Sequence, residues 1–117
     1  MKTELTIDGR TLALSANAAT PIRYRMTFGS DLMTQITSFT KDSSQYSDTI
    51  SQMAYIMAKS AAEELNNLSF ENYLTWLEQF DDPMTFVNIS SDIINFYLKN
   101  VKTESKAKNP KGPRTAK

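Results

Sequence analysis

The side chains in this chain that could carry acid–base or metal chemistry are carboxylates, and they stand as adjacent pairs at Glu63-Glu64 and Asp81-Asp82. Two neighbouring acids could share a proton or hold an oxygen-ligated cation. Neither pair has the help such chemistry usually needs. The 117 residues include no His and no Cys, so the commonest general base is missing. A Ser-His-Asp or Cys-His nucleophile cannot be assembled, and neither His/Cys zinc sites nor disulfides can form. No Gly-rich phosphate loop is present. Asp81-Asp82 precedes Pro83 and reads first as a helix cap. Glu63-Glu64 reads as a solvated face. The expectation is a binding protein, not an enzyme, with no catalytic, cofactor or metal residues.

Charge separates the chain into two parts. Residues 102–117, KTESKAKNPKGPRTAK, hold six of the 13 Lys and Arg residues and one of the 13 acids, leaving seven bases against twelve acids in the first 101. The formal net charge of zero therefore divides into a body near −5 and a tail near +5. The tail has no aliphatic or aromatic residue beyond two alanines, too little burial to offset the entropy of ordering it. Residues 1–101 are expected to form one compact domain and residues 102–117 a disordered basic tail. Lys106, Lys108, Lys111 and Arg114 are its candidate partner contacts.

No apolar run approaches the roughly 20 residues that span a bilayer. The opening residues MKTELTIDG lack the apolar core of a signal peptide, and absent cysteine fits a reducing compartment. A cytoplasmic location without membrane attachment is expected. The acidic body argues against nucleic-acid wrapping.

The elements that must position any binding surface can be read in order. Leu5, Ile7, Leu12 and Leu14 alternate on either side of Asp8-Gly9, which predicts a β-hairpin closed by a tight turn. Thr20-Pro21 looks like an N-cap with proline in the first turn, and Gly29 like the stop of a two-turn helix. Ser30 would cap the next helix, with Asp31 at its positive end and Leu32, Met33, Ile36 and Phe39 as its stripe. Lys41–Ser47 is a polar loop, with Ser47 capping a helix whose Ile50, Met53, Ala54, Met57, Ala58 and Ala61 share one face. Ser69 opens another helix with a Phe70/Tyr73/Leu74/Leu77 stripe and Phe80 at its end. Asp81-Asp82-Pro83 would cap a last helix running through Phe86 or Val87, Ile89, Ile93, Ile94, Tyr97 and Leu98 to Val101. The fold class is α+β, mainly α: an N-terminal β-hairpin followed by four to five short helices and the disordered tail.

Several body residues could bind a partner. Tyr24, Arg25 and Phe28 precede Gly29, and the plain reading of such a Tyr and Phe is core. Met26, Met33, Met53, Met57 and Met84 read as ordinary core first, and as an adaptable groove second, since methionines re-pack easily. Trp76 falls about one position off its helix stripe. It is either a half-exposed interaction residue or a boundary residue sealing the core edge.

Three segments taken together carry a family resemblance. Tyr24-Arg25-Met26-Thr27-Phe28-Gly29-Ser30-Asp31-Leu32 lies at a helix junction, Tyr55-Ile56-Met57-Ala58-Lys59-Ser60-Ala61 on the central helix, and Trp76-Leu77-Glu78-Gln79-Phe80 near the end of the next. In this order, after a short Asp-Gly hairpin, residues 2–101 resemble the tail assembly chaperones of long-tailed, siphovirus-type bacteriophages and prophages of Gram-positive bacteria. The resemblance implies a small protein of virion morphogenesis, acting in the host bacterial cytoplasm and absent from the mature virion. It would bind the tape measure protein, keep it soluble and recruit major tail (tube) protein around it. It implies as well that a longer form is made by ribosomal frameshifting near the end of the short reading frame. Lys108-Asn109 is compatible with an A-rich slippery run, and Asn109-Pro110-Lys111 with a run of C followed by A. The plain reading of the tail is a solubilising extension. Self-association of the body is left open. The competing reading is a small phage-encoded regulatory or inhibitor protein acting by protein or nucleic-acid binding.

Overall fold

The computed structural model describes residues 1–7, 9–37 and 46–98. The tail, with Lys106, Lys108, Lys111 and Arg114, and most of the polar loop before the central helix lie outside the described residues, as do Phe39 and Val101. The fold is α+β and mainly helical, as expected.

Strands β1 (Lys2–Ile7) and β2 (Arg10–Ser15) pair antiparallel, with Ile7 opposite Arg10, Leu5 opposite Leu12 and Thr3 opposite Leu14. Only two residues join them, and Gly9 has φ +79°, the left-handed conformation such a loop demands. The register puts the leucines, Ile7 and Arg10 on one face, which lies against the central helix. The pairing continues past β2, where the Ala16 N–H donates to the Met1 carbonyl and the Met1 amine to the Ala16 carbonyl, each at 2.9 Å.

Helix α1 (Thr20–Phe28) carries Pro21 in its first turn, as expected. Its N-cap is Ala19, not Thr20, and no side chain caps it. Asn17 explains the displacement: its N–H donates to Thr20 Oγ1 and its Oδ1 accepts from Ala19 N–H, both at 2.9 Å. These bonds turn the chain one residue early and commit the Thr20 hydroxyl. Gly29 ends α1 at φ +79° and donates to the Arg25 carbonyl. In α2 (Leu32–Thr37) the cap is Asp31, not Ser30; Asp31 Oδ2 accepts from Thr34 N–H and Oγ1 at 2.9 Å. Those two bonds hold its carboxyl below the usual range.

Helix α3 (Tyr46–Ala61) is the axis of the domain. It begins at Tyr46, so Ser47 lies inside it instead of capping it. The expected face is buried except at Ala61, which is partly exposed, and Tyr55 and Ile56, outside that one-sided stripe, are buried as well. Five consecutive residues, 53–57, are sealed because β2, α1, α4 and α5 all pack on this helix. It ends with the Glu64 N–H bonded to the Lys59 carbonyl and the Glu63 N–H to the Ser60 carbonyl. This double closure normally uses glycine, yet here Glu63 takes the left-handed position at φ 58°.

Helix α4 (Phe70–Leu77) starts as expected, with Ser69 Oγ accepting from Asn72 N–H at 3.0 Å. Its orientation differs from the expected stripe: Tyr73, Trp76 and Leu77 face inward while Phe70 and Leu74 are exposed. The inward face is selected by rings. Tyr73 and Trp76 stand 5.6 Å from Tyr55, and Trp76 meets Phe80 at 5.1 Å and Phe86 at 5.7 Å.

The last helix is split into α5 (Thr85–Asn88) and α6 (residues 90–98). Asp82 caps the approach, its Oδ1 accepting from Met84 N–H and its carbonyl from Thr85. The break at Ile89 coincides with Ser90, whose hydroxyl donates to the Val87 carbonyl at 3.0 Å and competes with the helical ladder. Phe86, not Val87, enters the core, joined by Ile93 and Tyr97. Arg10 closes the structure by lying 5.1 Å above the Phe80 ring and donating to the carbonyl and side chain of Gln79. Among the described residues no helix is long and apolar enough to cross a membrane.

Candidate functional site

The body residues expected to bind a partner fall into two groups. Tyr24, Met53 and Met57 are core, with Met53 1% and Met57 0% exposed. An adaptable groove built on those two methionines is therefore corrected: they fill the space around the central helix. The methionines that reach solvent are Met1, Met26, Met33 and Met84. Tyr24 donates to Gln52 Oε1 at 2.8 Å, and burial pushes its phenol pKa up to about 12. Arg25 is exposed, while Phe28 and Trp76 are half-buried. Phe28 stacks edge-on against Tyr73 at 5.1 Å and lies 5.2 Å from Tyr24.

Trp76 is where surface features converge. Its indole packs inward on Tyr55, Phe80 and Phe86, and its outer part borders two adjoining depressions. One is a polar cleft of about 510 Å³ between the end of α3 and α4, lined by Lys59, Glu63, Asn66, Asn67, Asn72 and Thr75 among others. The second is a trough of about 230 Å³ between β2 and α3, walled by Leu12 and Ala13 and floored by Ala58, Ala61 and Ala62. Lys59, Glu64 and Trp76 border both. Lys59 Nζ and Glu64 Oε1 are 3.3 Å apart, so the ion pair stands between the two depressions. Its side chains are partly solvated, which makes it a weak and easily opened contact.

Local chemistry explains this shape. Small residues at 58, 61 and 62 leave the trough open where larger ones would fill it. The left-handed Glu63 swings the chain away from α3. The amide of Asn72, donating to the Asn67 carbonyl at 2.6 Å, then ties the connecting loop to α4. Ala58 and Ala61 lie on the apolar face expected of the helix, whereas the sequence pattern does not point to Lys59 or the asparagines as site residues. The Asn66-Asn67 pair beside Glu63-Glu64 was the available signal.

The arrangement suits recognition. It offers a small-residue floor, an aromatic wall and a rim of amides and one ion pair. Among the described residues no cluster of three or more acids is placed to hold a metal ion. Comparison with protein-family models, curated proteins and solved structures finds no match for this chain.

Proposed function

We propose that this chain is a non-catalytic protein-binding module that shields an apolar-faced helix of a client, acting as a tail assembly chaperone. The observation that carries the proposal is the alanine-floored trough meeting the polar cleft at Trp76. A helix whose apolar side chains enter the trough could approach closely over Ala58, Ala61 and Ala62, while its polar flank meets the cleft's amides. The sequence resemblance of residues 2–101 supports the tape measure protein as client. That protein is long and helical, and free copies would aggregate through their apolar faces. Weak sites repeated along it would coat it and still yield to arriving tube subunits. The basic residues of 102–117 would draw acidic tube-protein surfaces by attraction that salt weakens. On this reading the protein works in the host cytoplasm and is left out of the finished virion.

Co-expression with the tape measure protein of the same phage tests the reading. Soluble tape measure protein should be recovered with the wild-type chain and lost with Ala62→Arg, which fills the exposed end of the trough. Insoluble tape measure protein beside folded wild-type chain overturns it.

A further inference from the structure

Two helices display outward apolar pairs at a spacing of four residues, and their surroundings carry opposite charge. On α1, Ile22 and Met26 lie opposite the buried Tyr24 and are 48% and 79% exposed. The neighbouring charges are Arg23 and Arg25, and the helix has no acid. On α4, Phe70 and Leu74 are 53% and 46% exposed. Glu71 and Glu78 lie together along one side of them, and residues 62–84 contain six acids and no base. Among the described residues neither arginine forms an ion pair.

We propose that these two faces bind each other between two copies of this chain, α1 of one lying on α4 of the other. Residues four apart share one side of a helix, so each pair forms a ridge that can pack beside its counterpart. The charges select the pairing: α1 against α1 would oppose arginines, and α4 against α4 would oppose glutamates, whereas α1 against α4 brings Arg23 and Arg25 to Glu71 and Glu78. The two helices are also neighbours within one chain, since the Phe28 ring on the inner side of α1 lies 6.3 Å from the Phe70 ring of α4. With α1 and α4 side by side in each copy, a twofold axis would make the contact twice and close the assembly as a dimer. This inference stands apart from the client reading, because the trough at Ala62 belongs to neither face.

Sedimentation equilibrium of the full chain provides the test. At about 100 µM and low salt the mass should be twice the 13.2 kDa of one chain. The dissociation constant should rise at least about tenfold as salt goes from about 0.05 to about 0.5 M. Arg23→Glu/Arg25→Glu and Glu71→Arg/Glu78→Arg should each be folded by circular dichroism and monomeric. Mixing the two variants should restore the dimer, because both contacts of a mixed pair are again complementary. A wild-type monomer under these conditions, or a mixture that stays monomeric, overturns the proposal. So does a dimer abolished by deleting residues 102–117 alone, which would assign the acidic face to the tail.

Discussion

The hydroxyls of Ser51 and Tyr73 stand 2.5 Å apart in the core and join α3 to α4. The Ser51 hydroxyl also bonds the Asp48 carbonyl at 3.0 Å, so the phenol is placed to donate to the serine oxygen. Ser51→Ala leaves a buried phenol without its partner and should destabilise the fold by about 1–3 kcal/mol. Tyr73→Phe should cost less, because Ser51 keeps Asp48. The double variant should cost less than the sum of the singles. Urea unfolding of the four proteins measures this, and strict additivity would sink the idea of a direct bond.

The two left-handed helix ends should respond oppositely to substitution. Gly29 has open space around its missing Cβ, so Gly29→Ala meets only backbone strain and should destabilise by about 1–2 kcal/mol. Glu63 already bears that strain, and Glu63→Gly should stabilise by roughly 1 kcal/mol. Thermal unfolding of both variants reads the signs directly.

Alkaline pH should unfold the protein through its tyrosines. Burial is the leading cause of raised pKa at Tyr24, Tyr73 and Tyr97, and Tyr24 moves from an ordinary value of 10.0 to about 12. Below pH 10 the folded and unfolded chains both keep these protons. Above it the unfolded chain releases protons that the folded chain retains, so stability falls as pH rises toward about 12. Tyr24→Phe should flatten that fall. An unchanged slope, with ultraviolet titration showing no late tyrosine, would contradict it.

Methionines should divide by position. Met53→Ala and Met57→Ala empty the space beside α3 and should each cost about 2–5 kcal/mol. Met26→Ser removes an outward side chain and should stay within about 0.5 kcal/mol of wild type. Chemical denaturation separates the two classes.

What the sequence disclosed was mostly local. Asp8-Gly9 between alternating runs, Gly29 after a two-turn helix and Ser69 before an aromatic stripe each act on their immediate neighbours, and the hairpin, the stop and the cap are all present. Competition between local bonds shifted other boundaries: Asn17 displaced the cap at Thr20, and Ser90 divided the last helix. The rotation of α4 was not legible because Phe70/Tyr73/Leu74 and Tyr73/Trp76/Leu77 are equally apolar. Only Tyr55 and Phe86, distant in sequence, choose between them. The same holds for the cleft, whose wall comes from two helices and the loop joining them. Methionine spacing gave no direction, since residues 26 and 53 differ only in what surrounds them.

Helix α3 has a further consequence through the order in which its covers are made. Its shelter comes from both directions along the chain: β2 and α1 precede it, while Tyr73, Trp76 and Phe86 follow. A ribosome that has released residues 1–65 has produced the axis with only half of its sheath, leaving one side of Tyr55 bare. The nascent protein therefore stays adhesive until Phe86 emerges, and slow translation between α3 and α5 would lengthen that window.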